Sequence, residues 1–369
     1  LTDASDSRPG LVLVYESEAA CRQRLAAAGL VEPHVSEIAS YLAQSTDIVP
    51  ELDRLQRACA ERGLAFRAVA LDDAPAALSG CDPARTLVWT LTDGITYFRG
   101  GVAPALARLY GLRTVGASDS LFALCQDKFR SGAVLRALGL PAPPAGLARG
   151  GEWIVPPPAT ATGYFVKPNR LGAKIGIWED SRCATREQAL ELSRRIHARY
   201  RDDAIVQPYL AGRNVRASFL GVEPQAGIER LGVFFVDSGS DFQTMADSLS
   251  LYGDTGARAK SDGNYREPGL EAVGETRPRA DGAIRDAAAR LICGFALADV
   301  FSVDFRVEPD DTVHLIEFEV CPGLPCFDFR AYCRENWGLE LAEAMAATAA
   351  NRLIRDASIG AGEAHGSMA

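Results

Sequence analysis

The chain reads as an α/β protein whose C-terminal half is of the α+β kind, and two stretches of sequence carry that reading. Residues 11–15, Leu-Val-Leu-Val-Tyr, form an uninterrupted apolar run of the sort that makes a strand buried on both faces of a parallel sheet. Strand and helix patterns alternate after it up to about residue 120, as βα units do. Far along the chain, residues 301–308 and 312–323 alternate apolar and polar side chains around Pro309-Asp310-Asp311-Thr312. That is the chemistry of an antiparallel hairpin and its turn.

Taken in order, a polar helix is expected over 50–62, stopped by Gly63, then strands at 65–71 and 86–91 and the loop Thr92-Asp93-Gly94. A short helix at 102–109 and a strand at 113–115 complete the first unit. Asp127 is placed to cap a helix running to Leu138, which Gly139 and Pro141 end. Residues 141–158 are rich in Pro and Gly and read as irregular. Residues 163–168 form a strand ended by Pro168, and Thr185 with Gln188 makes a capping box for a helix to about residue 200. Strands follow at 204–209, 215–220 and 231–237. Residues 238–268 are polar, rich in Gly and Ser and aperiodic, which is expected of a lid or a disordered loop. Helices at 282–297 and 339–354 flank the acidic hairpin. Residues 1–9 and 357–369 are small and polar and are expected to fray. The resulting division is 1–120, 121–208 and 209–356, with a tail at 357–369.

The 369 residues, 47% hydrophobic and 24% charged, leave room for two or three domains. A net charge of −9 without a basic run argues against a nucleic-acid partner. The absence of an apolar run of transmembrane length or a signal-peptide pattern argues against a membrane partner. Nine cysteines, an odd number without CxxC pairs, suit free thiols in the cytoplasm. A first residue that is Leu1 rather than Met suggests a trimmed or fused N-terminus.

With the hairpin turn centred between Asp310 and Asp311, Asp304 faces Glu317, Ser302 faces Glu319, Val303 faces Phe318 and Phe305 faces Ile316. One face is then apolar, and the other gathers Asp304, Glu317 and Glu319. Facing side chains lie roughly 5 Å apart at Cβ, where two like charges cost about 3 kcal/mol at an effective dielectric near 20. Three carboxylates on a half-buried face therefore call for a cation. Oxygen-only ligands without His or Cys suit Mg²⁺, which takes one or two carboxylates along with nucleotide phosphates. On this hairpin alone, a solvated strand face is the alternative.

Residues 166–177, Val-Lys-Pro-Asn-Arg-Leu-Gly-Ala-Lys-Ile-Gly-Ile, read as a strand, a flexible turn and a second apolar strand. Gly172 and Gly176 let backbone N–H groups turn toward an anion, and Lys167 and Lys174 add positive charge. No Gly-Lys-Ser/Thr follows, so this is not a P-loop.

In succession, Asp127-Lys128, Val166-Lys167-Pro168 with its glycine loop, residues 207–210 with Gly212-Arg213-Asn214, Val303-Asp304-Phe305 and residues 317–323 resemble the ATP-grasp fold. The likeness is greatest to its D-alanine–D-alanine ligase-like branch, over residues 86–354. The resemblance implies a three-domain architecture with ATP between the central and C-terminal domains, behind an N-terminal substrate domain. It implies Lys128 and Lys167 on the phosphates, covered by the loop of Gly172, Lys174 and Gly176. Gln207, Tyr209 and Leu210 would face the adenine, and Asn214 the ribose, where the family usually has Glu. Asp304, Glu317 and Glu319 would hold two Mg²⁺ ions, with Mn²⁺ as a substitute; Glu319 stands where Asn is usual. Arg258 or Lys260, in the long polar loop, would close over the γ-phosphate. A carboxylate would be phosphorylated and attacked by an amine, giving an amide, ADP and phosphate. A homodimer through the first domain is also a family-level expectation.

Several positions depart from the family pattern. The N-terminal glycine turn with its amine-binding Glu is not visible, and Glu16 or Glu18 would stand in. Ala173 occupies the position of a loop Ser. Ser302 replaces an Arg that steadies the tetrahedral intermediate, and Arg306 or Arg330 would restore that charge. Gly323 is a further substrate-site candidate, and Asp328 falls near a Ser that receives the second substrate's carboxylate, which suits an amine or guanidinium instead. Arg99 is the candidate for the acyl donor. These departures imply amino-acid-like substrates other than two D-alanines. An ATP-grasp phosphotransferase and a non-catalytic nucleotide-binding protein are the alternatives.

Overall fold

A computed structural model describes residues 8–36, 38–39, 48–93, 100–172, 174–236, 242–245 and 270–366, with the backbone alone at 327, 328 and 356–366. Among the described residues, seven helices of ten residues or more accompany three sheets: α1 (Glu18–Ala27), α2 (Leu52–Glu61), α3 (Lys128–Ala137), α4 (Arg186–Tyr200), α5 (Pro278–Phe295), α6 (Phe327–Trp337) and α7 (Leu341–Gly366).

The first sheet is parallel, in the order β2-β1-β3-β4, from β1 (Gly10–Tyr15), β2 (Ala65–Ala70), β3 (Thr86–Leu91) and β4 (Arg113–Thr114). Successive residues of β1 are buried on opposite sides, as its unbroken apolar run requires. Leu11 and Leu13 join a core with Leu55, Trp89, Tyr332 and Met345, and Val12 and Val14 another with Val88, Ala103 and Ala107. The first core also takes in Leu220 and Val300, so α6 and α7 pack the parallel sheet against the C-terminal one.

The central sheet runs β6-β5-β9-β7-β8, from β5 (Gly146–Arg149), β6 (Glu152–Val155), β7 (Tyr164–Pro168), β8 (Arg182–Cys183) and β9 (Ala204–Pro208). Its back face, with Tyr164, Val166, Ala204 and Val206, packs on Ala189, Leu192 and Ile196 of α4. The capping box of Thr185 and Gln188 starts that helix. Two expectations are corrected here. Residues 141–158 are not wholly irregular, because β5 and β6 form a hairpin about Gly150 and Gly151, whose φ angles are 57° and 90°. A two-residue turn with both φ positive demands such glycines. Residues 175–177 are not a strand: Lys174 and Gly176 have φ of 66° and 72°, which coils the segment into turns.

The C-terminal sheet is antiparallel, β12-β11-β10-β13-β14, from β10 (Arg213–Leu220), β11 (Gly232–Val236), β12 (Leu270–Ala272), β13 (Val300–Val307) and β14 (Val313–Glu319). One face (Val215, Ala217, Val303, Phe305, Leu315, Phe318) buries against Ile284, Ala288 and Leu291 of α5. The hairpin pairs Ser302 with Glu319, Val303 with Phe318 and Asp304 with Glu317, as the sequence predicts. Phe305, however, faces Leu315 rather than Ile316. The loop holds three residues, 309–311, closed by Glu308 N donating to Thr312 O at 2.9 Å and by Asp311 at φ 71°. A β-bulge at Ile316 takes up the extra residue. The apolar set Val313, Leu315, Phe318 carries that three-residue step in the sequence itself.

Two helix ends also differ, and two helices were not expected. Pro278 lies at the start of α5, one turn before the expected Gly282, where a missing N–H costs nothing. Helix α7 continues to Gly366, past the expected fraying point. Neither α1 nor α6 is marked by periodicity; α1 buries only Cys21 and Leu25. The expected lid, residues 238–268, lies outside the described residues except for 242–245. The nine cysteines are free. Among the described residues, no helix is long and apolar enough to cross a membrane.

Candidate active site

The front face of the central sheet is set by strand alternation. Phe165 pairs with Gln207 and Lys167 with Ile205, so these four share the face turned away from α4. Lys167 is 7% exposed and Gln207 8%. Lys128 is delivered to the same place by a helix start. Asp127 caps α3 by accepting from Arg130 N at 3.0 Å, while Lys128 N donates to Asn169 O at 3.1 Å. The buried Asn169 Oδ1 also accepts from Phe129 N at 2.8 Å. Asn169 therefore ties the end of β7 to the start of α3 and puts the two lysines side by side. Asp202 extends the support, accepting from Arg170 N at 2.7 Å.

The C-terminal sheet brings the opposite charges. Glu317 Oε2 lies 3.5 Å from Lys128 Nζ and 3.7 Å from Lys167 Nζ, and Lys128 Nζ also donates to Leu171 O at 2.7 Å. Burial alone would push the Glu317 carboxyl up, but Lys167, Lys128 and Arg216 outweigh it and hold it well below the usual range. Burial, with Lys128 adding to it, holds the Lys167 ammonium below the usual lysine value, although Glu317 pulls the other way.

Arg216, like Asn169 and Asp202, is a residue that the sequence reading missed. It sits on β10 opposite Asp304. Its Nε lies 3.1 Å from Asp304 Oδ1, and its Nη1 lies 3.4 Å from Glu319 Oε2 and donates to Ser302 Oγ at 2.8 Å. The signal was an arginine on the polar side of an alternating strand, Arg213 to Leu220, but nothing local says what it meets. Arg306 and Arg330, expected to supply the missing charge, are committed elsewhere. Arg306 donates to Leu210 O at 3.1 Å and Asn214 Oδ1 at 2.9 Å. Arg330 reaches Glu51 at 3.0 Å and Pro325 O at 3.0 Å.

Beyond the lysines, Tyr209 is buried, with its N donating to Gly163 O at 2.8 Å and the Arg182 guanidinium 3.9 Å from its ring centre. Leu210 and Asn214 follow, joined through Arg306. Gly172, Lys174 and Gly176 form a tight loop in which Ile175 N donates to Gly172 O and Ile177 N to Lys174 O, both at 3.0 Å. Leu171 and Ile175 anchor it among Cys21, Leu25, Ile38 and Tyr200.

Glu16 follows β1 at the carboxyl edge of the parallel sheet, buried and ion-paired to Arg24; it also accepts from Asp93 N at 3.4 Å. Glu18 instead pairs with Arg22 at 2.8 Å. Gly323 accepts from Cys326 N at 3.0 Å in the loop before α6. Asp328 lies on the backbone of the first turn of α6. Arg99, Ala173, Arg258 and Lys260 lie outside the described residues.

Asp304, Glu317 and Glu319 offer oxygen alone, share one face and have side chains 28%, 23% and 31% exposed. That donor set fits Mg²⁺. As the side chains stand, each carboxylate leans on a protein cation, and among the described residues no three acidic, His or Cys groups converge on one point.

No family model matches the chain. It is 28% identical over 225 residues to a D-alanine–D-alanine ligase of Frankia casuarinae, covering 60% of this chain and 55% of the relative. It is 27% identical over 230 residues to one of Geobacter sulfurreducens, covering 62% and 65%. The chain thus spans less than two thirds of either relative. Among solved structures it is similar to the Bacillus anthracis D-alanine–D-alanine ligase complexed with ATP, with TM-score 0.62, 11% identity and coverage of 95% and 99%. It is also similar to a D-cycloserine synthetase, with TM-score 0.53, 15% identity and coverage of 93% and 100%. The chain has the ATP-grasp fold of the D-alanine–D-alanine ligase type.

Proposed function

We propose that the chain is an ATP-dependent carboxylate–amine ligase that works through an acyl phosphate and releases ADP and phosphate. The observation that carries this is the meeting of Lys128, at the start of α3, and Lys167, on the central sheet, with Glu317 of the C-terminal sheet, on the face that also carries Asp304 and Glu319. Two lysines fixed at a sheet face by a buried Asn are suited to a polyphosphate. Carboxylates facing them are suited to the metal that accompanies one. Asp304, Glu317 and Glu319 would hold Mg²⁺, which when bound offsets charge on the β- and γ-phosphates.

Lys128 and Lys167 would bind the phosphates, and the loop of Gly172, Lys174 and Gly176 would cover them and exclude water. Gln207, Tyr209 and Leu210 would hold the base, and Asn214, fixed by Arg306, the ribose. A substrate carboxylate oxygen then bonds to the γ-phosphorus, and the bond to the ADP oxygen breaks, its electron pair leaving with ADP. An amine next attacks the acyl carbon, phosphate leaves, and the amine gives up a proton. The substrates are amino-acid-like. The Glu16 carboxylate is already matched by Arg24, which supports an acyl donor held differently from an amine resting on a free Glu.

ADP release from Mg-ATP is the test, over a panel of amino acids and small carboxylates offered singly and in pairs, with Lys167→Ala as the blank. A ligase gives ADP that depends on one acid and rises with one amine, and the variant loses at least about 100-fold of it. ADP formed with the acid alone, and a stable phosphorylated product, would replace this reading with a phosphotransferase.

A further inference from the structure

We propose that Arg216 is the arginine that meets the transferring phosphoryl group, and that Ser302, Asp304 and Glu319 hold it in reserve until a divalent cation takes those two carboxylates. The inference rests on the ligase reading and deepens it. Arg216 stands on β10, an inner strand of the C-terminal sheet, directly opposite Asp304. One guanidinium spans Asp304, Glu319 and the Ser302 hydroxyl. Such a planar fork grips two carboxylates where a lysine would hold only one.

Among the described residues, three cations (Lys128, Lys167 and Arg216) stand against three carboxylates (Asp304, Glu317 and Glu319) at the site. A dication that claims Asp304 and Glu319 must displace the guanidinium. Its stem is fixed in an inner strand, so the displaced group stays on the face that also carries Glu317, which the two lysines meet. A cation freed there lies where negative charge spreads over the moving phosphoryl oxygens. Neither Arg306 nor Arg330 is placed for this role. Ser302 acts as a positioning residue. Because its Oγ lies 2.8 Å from Nη1, a longer side chain from position 302 reaches the same spot.

The test compares wild type with Arg216→Met, Arg216→Lys and the double variant Arg216→Met/Ser302→Arg, using Mn²⁺ binding without nucleotide and ATP-dependent turnover. Removing the competing guanidinium in Arg216→Met should tighten Mn²⁺ about tenfold, while kcat falls about 100-fold or more and KM for ATP stays within about threefold. The double variant should regain at least about tenfold in kcat, since an arginine returns from the neighbouring strand. Arg216→Lys keeps a charge at the site and should fall between wild type and Arg216→Met in both readouts. Unchanged Mn²⁺ affinity in Arg216→Met, or a kcat within about threefold of wild type, would overturn the proposal. If wild type forms no ADP with any acid, the ligase reading fails by itself, and the Mn²⁺ titration still decides whether Arg216 competes for these carboxylates.

Discussion

Asp203 shows how single contacts place Lys128 and Lys167. Its backbone O accepts from Asn169 N at 2.8 Å, and Arg149 reaches its two carboxylate oxygens at 2.6 and 2.9 Å. The Arg149 hydrogen bonds hold the Asp203 carboxyl below the usual range. A depressed carboxyl stabilises the fold above its unfolded value, about 3.9, and that stability is lost as pH falls through the lower folded value. Arg149→Met should therefore lower the urea midpoint at pH 7, and the gap should close as pH drops below about 4. A gap independent of pH would assign the loss to packing. At this scale the sequence pointed to Lys167, Asp304 and Glu317 through short patterned stretches and to Lys128 through the order of the motifs, and the structure brings Lys128, Lys167 and Glu317 together. Arg216, Asn169 and Asp202 were hidden, because what they touch is far off in the chain or fixed by tertiary packing.

Among elements, the β13–β14 hairpin carries the clearest lesson. A turn centred between Asp310 and Asp311 put Asp304 opposite Glu317, yet that turn was misplaced, and the bulge at Ile316 compensates by restoring the register at the acidic end. A bulge bends a strand and re-aims the side chain beside it, here Glu317 toward both lysines. Deleting Ile316 leaves Leu315, Glu317 and Phe318 in strict alternation, so the variant should fold with the circular-dichroism spectrum of wild type. Its ADP formation should fall about tenfold or more as Glu317 swings away from Lys128 and Lys167. Full activity would show that the bulge is not needed to aim Glu317. The β5–β6 hairpin was legible in principle, since Gly150-Gly151 between Leu-Ala-Arg and Glu-Trp-Ile-Val is a hairpin signal. The surrounding prolines masked it.

Across the whole molecule, α6 and α7 join the parallel sheet to the C-terminal one, and Tyr332 is the polar pin of that junction. Its hydroxyl accepts from Leu220 N at 3.0 Å and Trp337 Nε1 at 3.1 Å, and donates to Arg230 O at 3.0 Å. Tyr332→Phe strands a buried amide and should cost about 1–3 kcal/mol in urea unfolding. A loss under about 0.5 kcal/mol would mean that these groups find other partners. Asp299 adds a second pin, with Arg352 at 3.2 Å and Arg355 on its carboxylate and with Gly116 N donating to it at 3.2 Å. Such long-range ties leave no local trace, which is why periodicity missed α6 and stopped α7 short. Most strand positions along the chain, by contrast, were readable from apolar runs and turn chemistry, although β5, β6, β8 and β12 were not.

The central claim is that a substrate carboxylate is phosphorylated at the place where Lys128, Lys167 and Glu317 meet. Its most direct test is turnover of a carboxylate labelled with ¹⁸O, followed by mass analysis of the released phosphate. An acyl-phosphate path moves one labelled oxygen from the acid into inorganic phosphate. Phosphate that carries no label, released while amide is formed, would contradict the account.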